Sequence, residues 1–275
     1  MQLIKPSFEI LEQGPGLDGI YKQIEKVGRT CYKSENLIKE GSAKPFVDRM
    51  VASKHYAMIE HGTIYLNIPI KFGHQPTIEE YLLNPHSRVG KNTVNHYWCI
   101  TTNLRVLVEN GWMEDLQYIC EPTEHHIRRV TVKFICDRGV SHEFVRHRVF
   151  SFAQESTRYC NYTKDKFGNE ITFIEPCWEM QEDEKELFTV CLEDMENAYN
   201  ALISSGWTPQ QARAILPNSL KTELVMTGFV DDWDHFFSLR TSIIAETGKP
   251  HPQASELADP LYNEFIMRGY MEPLV

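Results

Sequence analysis

Three arginines, a histidine, two serines and a threonine fall within residues 146–159, RHRVFSFAQESTRY, of a chain whose formal charge is -10. A guanidinium is a rigid fork of N–H donors that meets phosphate oxygens two at a time, and neighbouring hydroxyls add further donors. Arg146, His147 and Arg148 followed by Ser156, Thr157 and Arg158 therefore read as a site for one or two phosphorylated ligands. The acidic balance of the chain argues against non-specific binding to nucleic acid or to an anionic membrane, which needs a basic face to displace counterions. The phosphate-bearing partner is small and held locally.

Metal chemistry fits these residues poorly. HEFVRH at 142–147 looks like the zinc motif H-E-x-x-H, but His142 and His147 are five apart, roughly 140° around a helix, and do not share a ligand. In EHHIRR at 124–129 the adjacent side chains point apart. No metal is expected. Seven cysteines, an odd number without a C-x-x-C pair, argue against a disulfide framework and a structural zinc site, and read as reduced thiols.

The elements that must position the motif follow from periodicity. RRVTVKFICDRG at 128–139 alternates as a strand closed by a turn at Asp137–Gly139, and VSHEFVRHRVFSF at 140–152 reads as the helix after it. Such a helix would set Glu143 beside both Arg146 and His147. Upstream, helices are expected over 17–34 and 45–55, with a strand in GTIYLNIPIKF at 62–72. Residues 74–97 read as a loop-rich insertion with a hairpin at VGKN, and 102–113 as a helix ending near Gly111. Downstream come an amphipathic helix over 182–206 stopped by Gly206, and a short helix capped by Thr208 with Pro209 in its first turn. An extended run at 217–229 and helices over 231–246 and 254–269 complete the order. The class is mixed α/β without the regular alternation of a doubly wound sheet, in one domain covering 1–275. No apolar run approaches the ~20 residues of a membrane span, and MQLIKPSFEILEQG lacks a secretory pattern, so a soluble, cytoplasmic protein is expected.

Arg146-His147-Arg148, seven intervening residues and Ser156 resemble the R-H-R-x7-S signature of the flavin-dependent thymidylate synthases. The likeness extends to GRTCYKS at 28–34, KHYAMIEHGTIYLNI at 54–68, ARAILPNSL at 212–220 and FFSLR at 236–240. Arg213 and Arg240 stand 27 positions apart, the spacing of that family's two downstream arginines. The resemblance implies a mixed, largely antiparallel sheet flanked by helices, a homotetramer with ligands at subunit contacts, and reductive methylation of dUMP to dTMP. Methylenetetrahydrofolate would supply the carbon, and FAD reduced by NADPH the hydride, without a cysteine nucleophile.

By the same resemblance, His55, Arg146, His147, Arg148, Gln154 and His235 would hold FAD. Glu143, Arg146, Gln154, Glu155, Ser156, Thr157, Arg158, Arg213 and Arg240 would hold dUMP, with Arg240 at the uracil as the catalytic cation. His61 looks structural. Glu143 stands where some relatives have Gln, and Phe229 and His235 where some have asparagines that contact FAD. His251 and Gln253 lie in a segment longer than the compact family pattern. Cys177, beside a proline in EPCW, resembles the classical synthase nucleophile, but a buried thiol is the reading preferred. Two other classes compete: a single-stranded nucleic-acid binder using Phe150, Phe152 and Tyr159, and a nucleotide sensor that binds dUMP without turnover.

Overall fold

The computed structural model describes residues 1–70, 76–162, 170–245 and 248–273. The first half contains β1 (Gln2–Ile4), β2 (Ser7–Leu11), α1 (Gly16–Thr30), α2 (Ala43–Ala52), α3 (Tyr56–Ile59), β3 (Thr63–Pro69), α4 (Pro76–Leu83), β4 (Arg88–Asn92), β5 (Tyr97–Asn103) and α5 (Leu104–Asn110). The second half contains β6 (Arg129–Asp137), α6 (Arg138–Phe144), β7 (Ser151–Gln154), β8 (Thr172–Ile174), α7 (Glu182–Ser204), α8 (Pro209–Ala212), β9 (Lys221–Phe229), α9 (Val230–Arg240) and α10 (Pro252–Met267). Mixed α/β order is as expected, and pairing is antiparallel except between β1 and β8. Among the described residues the strands form three sheets: β1-β8, β2-β6-β9-β7 and β3-β5-β4.

The four-stranded sheet carries the motif. Because successive strand residues face opposite ways, Leu224 and Met226 of β9 meet Trp233, Phe236 and Phe237 of α9 and Leu261 and Phe265 of α10. Val225 turns to the other side and packs with Ala153, Leu11, Val27 of α1 and Met58 of α3. Of the apolar positions at helical spacing in α1, Ile20, Ile24 and Val27 are buried and Leu17 is half-buried, so the helical stripe is the core face.

Several boundaries differ from the sequence reading. Residues 76–97 are not loop-rich: they form α4 and a hairpin of β4 and β5. VGKN lies within β4, and the turn falls at residues 93–96; positions 74 and 75 lie outside the described residues. The segment 102–113 begins as the end of β5, and Asn103 caps α5 by accepting from the Val106 amide at 3.2 Å. Helix α9, expected to reach 246, stops at Arg240. Both β1 and β2 escaped a reading based on alternation, since three to five residues with one proline between carry too little pattern.

Candidate functional site

The platform is β6 running directly into α6. Asp137 ends the strand and caps the helix, its carboxylate accepting from the Val140 amide at 2.8 Å. The expected helix over 140–152 is cut short at Phe144, whose fully buried ring packs against Phe134 and Phe236. Two turns follow, the His147 amide donating to the Phe144 carbonyl and the Phe150 amide to that of His147. Pairing with β9 then claims Ser151–Gln154 as β7. The interruption separates the three basic residues: Arg146 and Arg148 are exposed while His147 is buried.

Arg240 arrives from the end of α9 and closes on that turn. Its Nη1 donates to Glu143 Oε2 at 2.8 Å, its Nη2 to the Glu143 carbonyl at 2.8 Å, and its Nε to His147 Nε2 at 3.0 Å. A guanidinium carries five N–H donors, so after these three bonds two remain among the described residues. Arg146 reaches the other carboxylate oxygen of Glu143 at 3.6 Å. Burial opposes charge on Glu143, but Arg240 and Arg146 outweigh it and hold its pKa down. His147 is pushed to about 4, first by burial and then by the charge of Arg240, so it is neutral at pH 7 and accepts from Arg240. His235 stands beside it, ring to ring at 5.9 Å.

The second half of the motif forms a loop beyond β7. Gln154 is occupied internally, its amide donating to Ser141 Oγ at 2.9 Å and Thr222 Oγ1 at 3.2 Å. Glu155 is buried and pairs with Lys221. The Ser156 amide donates to the Cys31 carbonyl at 2.9 Å, and its Oγ accepts from the Arg158 amide at 3.3 Å. Arg213 donates to Thr157 Oγ1 at 3.2 Å, while Arg158 donates to Gln210 Oε1 at 2.6 Å. The two downstream arginines thus meet opposite halves of one motif. His55 precedes α3, which packs on β7, and is half-buried.

Two cavities flank the basic turn. One, about 500 Å³, is lined by Arg148 with Arg88, Arg105, Arg129, Glu60 and Phe229. The other, about 470 Å³, is lined by Glu143 and Arg146 with His142, Trp178, His251 and Gln253. Phe229 serves the first through its ring face, with the Arg88 guanidinium 4.3 Å and that of Arg129 5.5 Å from its centroid. The sequence reading missed these two arginines; Arg129 opens β6 and Arg88 lies inside the segment read as loop, so neither shares a motif with Arg148. Gln253 donates to Asp137 Oδ2 at 3.1 Å, which ties the lengthened C-terminal segment to the cap of α6. Cys177 is an exposed residue rather than the buried thiol expected, and partial desolvation of its sulfur, with Glu256 nearby, raises its pKa, the wrong direction for a thiolate nucleophile. Among the described residues, no group of three or more His, Cys, Asp or Glu side chains is placed to hold a metal ion. No helix among them is long and apolar enough to cross a membrane.

Two curated relatives are flavin-dependent thymidylate synthases. That of Geobacter sulfurreducens is 32% identical over 103 residues, covering 38% of this chain and 43% of the relative. That of Pyrococcus furiosus is 30% identical over 143 residues, covering 51% and 55%. The chain therefore spans about half the length of the curated relatives it matches. A solved structure of the UMP/dUMP methylase PolB from Streptomyces cacaoi with 5-Br dUMP aligns over 97% of this chain and 93% of its own, at TM-score 0.48 and 15% identity. Residues 119–266, more than half of the 275, match the family model described as thymidylate synthase complementing protein, and they include β6, the basic turn, the loop after β7 and Arg240: the chain belongs to that family.

Proposed function

We propose that the protein is a flavin-dependent thymidylate synthase that converts dUMP to dTMP with methylenetetrahydrofolate as carbon donor and NADPH as reductant, in the cytoplasm. The observation that carries this reading is the meeting of Arg240 with Glu143 and His147, and of Arg213 with Thr157, across 97, 93 and 56 positions of sequence. The family name and the names of the relatives point the same way.

The residues fit a flavin dinucleotide. One cavity is lined by four arginines and the rings of Phe150 and Phe229. Asp232 pairs with Arg88, and Glu60 and Glu109 with Arg105. Arg148 and Arg129 are therefore the cations that suit a pyrophosphate joined to an aromatic ring system, and the buried Nε of Arg129 has no hydrogen-bond partner among the described residues. Arg148 would hold FAD there, with His147, His235, Arg146, Gln154 and His55 as the further contacts the resemblance implies. When bound, FAD supplies the hydride chemistry that completes the methyl group. The chain's own part is electrostatic and positional. Arg240, aligned by Glu143 and His147, offers its remaining donors to negative charge developing on the pyrimidine, a cation oriented before the reaction begins. Ser156, Thr157, Arg158 and Arg213 hold the phosphate, and Arg146 and Glu143 the nucleotide edge. Arg146 and Arg148 are exposed on either side of the turn, which supports sites completed between copies in a homotetramer.

The test is a purified, yellow protein that releases the C5 hydrogen of dUMP when folate and NADPH are present. A colourless protein that takes up no flavin on reconstitution overturns the proposal.

A further inference from the structure

Beneath the loop after β7 lies a group of buried charges, of which Glu155 and Lys33 fall in the quoted motifs and Lys133, Lys221 and Glu223 do not. Glu155 and Glu223 are only 2% and 5% exposed. Lys221 Nζ lies 2.9 Å from Glu155 Oε2 and 2.7 Å from Glu223 Oε1. Lys133 of β6 reaches Glu223 Oε2 at 2.6 Å. Lys33, from the segment after α1, also contacts Glu223 and lies 3.9 Å from Glu35. Lys221 and Glu223, two apart on β9, share the sheet face of Val225, on the α1 side. Burying so many charges is costly, and apolar residues in their place are often as stabilising or more so, so burial energy alone does not account for them.

The contacts close a ring. The Glu155 amide donates to the Glu223 carbonyl at 2.8 Å, and the Ser156 amide to the Cys31 carbonyl at 2.9 Å. Cys31 is two residues from Lys33, Lys33 meets Glu223, Glu223 meets Lys221, and Lys221 returns to Glu155, the neighbour of Ser156. Both main-chain and side-chain links thus enter the loop from below. We propose that this buried ring is a clamp that sets the backbone of Ser156–Arg158, with Glu155 and Lys221 as positioning residues for the loop's phosphate-facing donors. The inference rests on reading that loop as the dUMP site, and gives Glu155 a role other than direct contact with the nucleotide. A misplacement of the order of an ångström in such donors is enough to change binding and rate.

The test compares the full-length, FAD-loaded protein with Lys221→Met and with the double variant Glu155→Met/Lys221→Met, in which Glu223 keeps Lys33 and Lys133. Three quantities are read: hydrogen exchange of the Ser156 amide, the dissociation constant for dUMP by titration calorimetry, and the melting temperature. In Lys221→Met the amide exchanges at least about tenfold faster, and the dUMP constant rises on the order of ten- to a hundredfold at unchanged flavin content. The double variant recovers thermal stability but not dUMP affinity. Wild-type exchange and affinity in a folded variant overturn the clamp, as does affinity that returns together with stability. Should Lys221→Met not fold, the double variant decides. A wild-type protein that fails to bind dUMP overturns the assignment of the site instead, and the exchange of the Ser156 amide still decides the clamp.

Discussion

Arg240 and Ser156 make separable contributions under the proposed reaction. Arg240 faces charge that develops only in the transition state, so Arg240→Ala lowers kcat on the order of a hundredfold or more with flavin content intact. Arg240→Lys keeps the charge but cannot bridge the Glu143 carboxylate, the Glu143 carbonyl and His147 at once, and rescues only in part. Ser156→Ala raises KM for dUMP with little change in kcat, the mark of binding that is equal in ground and transition states. C5-hydrogen release at varied dUMP gives both constants, and wild-type turnover by Arg240→Ala would remove the arginine from the chemistry. Cys177→Ala leaves turnover largely unchanged in the same assay; loss of activity at normal folding and flavin content would restore a cysteine nucleophile.

At the scale of elements, the meeting of β9 with the basic turn is tight. A Cβ built on Gly228 would lie 2.5 Å from the Phe150 ring, which is buried against Trp233 and edge-on to His147. Gly228→Ala therefore destabilises by about 1–3 kcal/mol through overpacking, read as a lower denaturant midpoint at constant slope. Acid acts on the same region. Burial lowers His147 to about 4 and His61 to about 3, against about 6.5 in an unfolded chain. Below that value the unfolded state binds protons that the native state refuses, so their contribution is whole above about pH 6.5 and declines as pH falls towards 4. Glu223, depressed to about 2 by Lys221, Lys33 and Lys133 against the cost of burial, adds stability above its unfolded pKa of 4.5 that is lost as pH drops through that interval. Denaturant midpoints measured between about pH 7.5 and 4 should fall steadily on the acid side; a flat profile would show that neither histidine is buried neutral. Legibility divides here by range. The helices α1 and α7 were readable because one apolar stripe or one stop glycine defines them within themselves. The end of α6 at Phe144 was not, because the pairing that claims Ser151–Gln154 lies some seventy residues downstream on β9. For the same reason the sequence indicated that Arg240 belongs with Arg146 and His147 only through resemblance, and gave no sign that Glu155 is turned inward to Lys221.

For the molecule as a whole, the basic turn presents Arg146 and Arg148 to two different cavities. Under the proposed assembly, sites shared between copies would make ligand binding and assembly one equilibrium, so the melting temperature of the flavin-loaded protein is expected to rise with protein concentration. Light scattering should give a tetramer, and a monomer that still turns over would remove the shared-site reading. Contact between Glu143 and Arg240 has a second consequence, for biogenesis. Its partners are 97 positions apart and joined through the long-range pairing of β6 with β9, the kind of contact that forms late because a large loop must close first. During synthesis from the N-terminus, the basic turn is exposed well before the arginine that will align it exists. Any nascent chain stalled before residue 240 therefore leaves Glu143 and His147 without that partner.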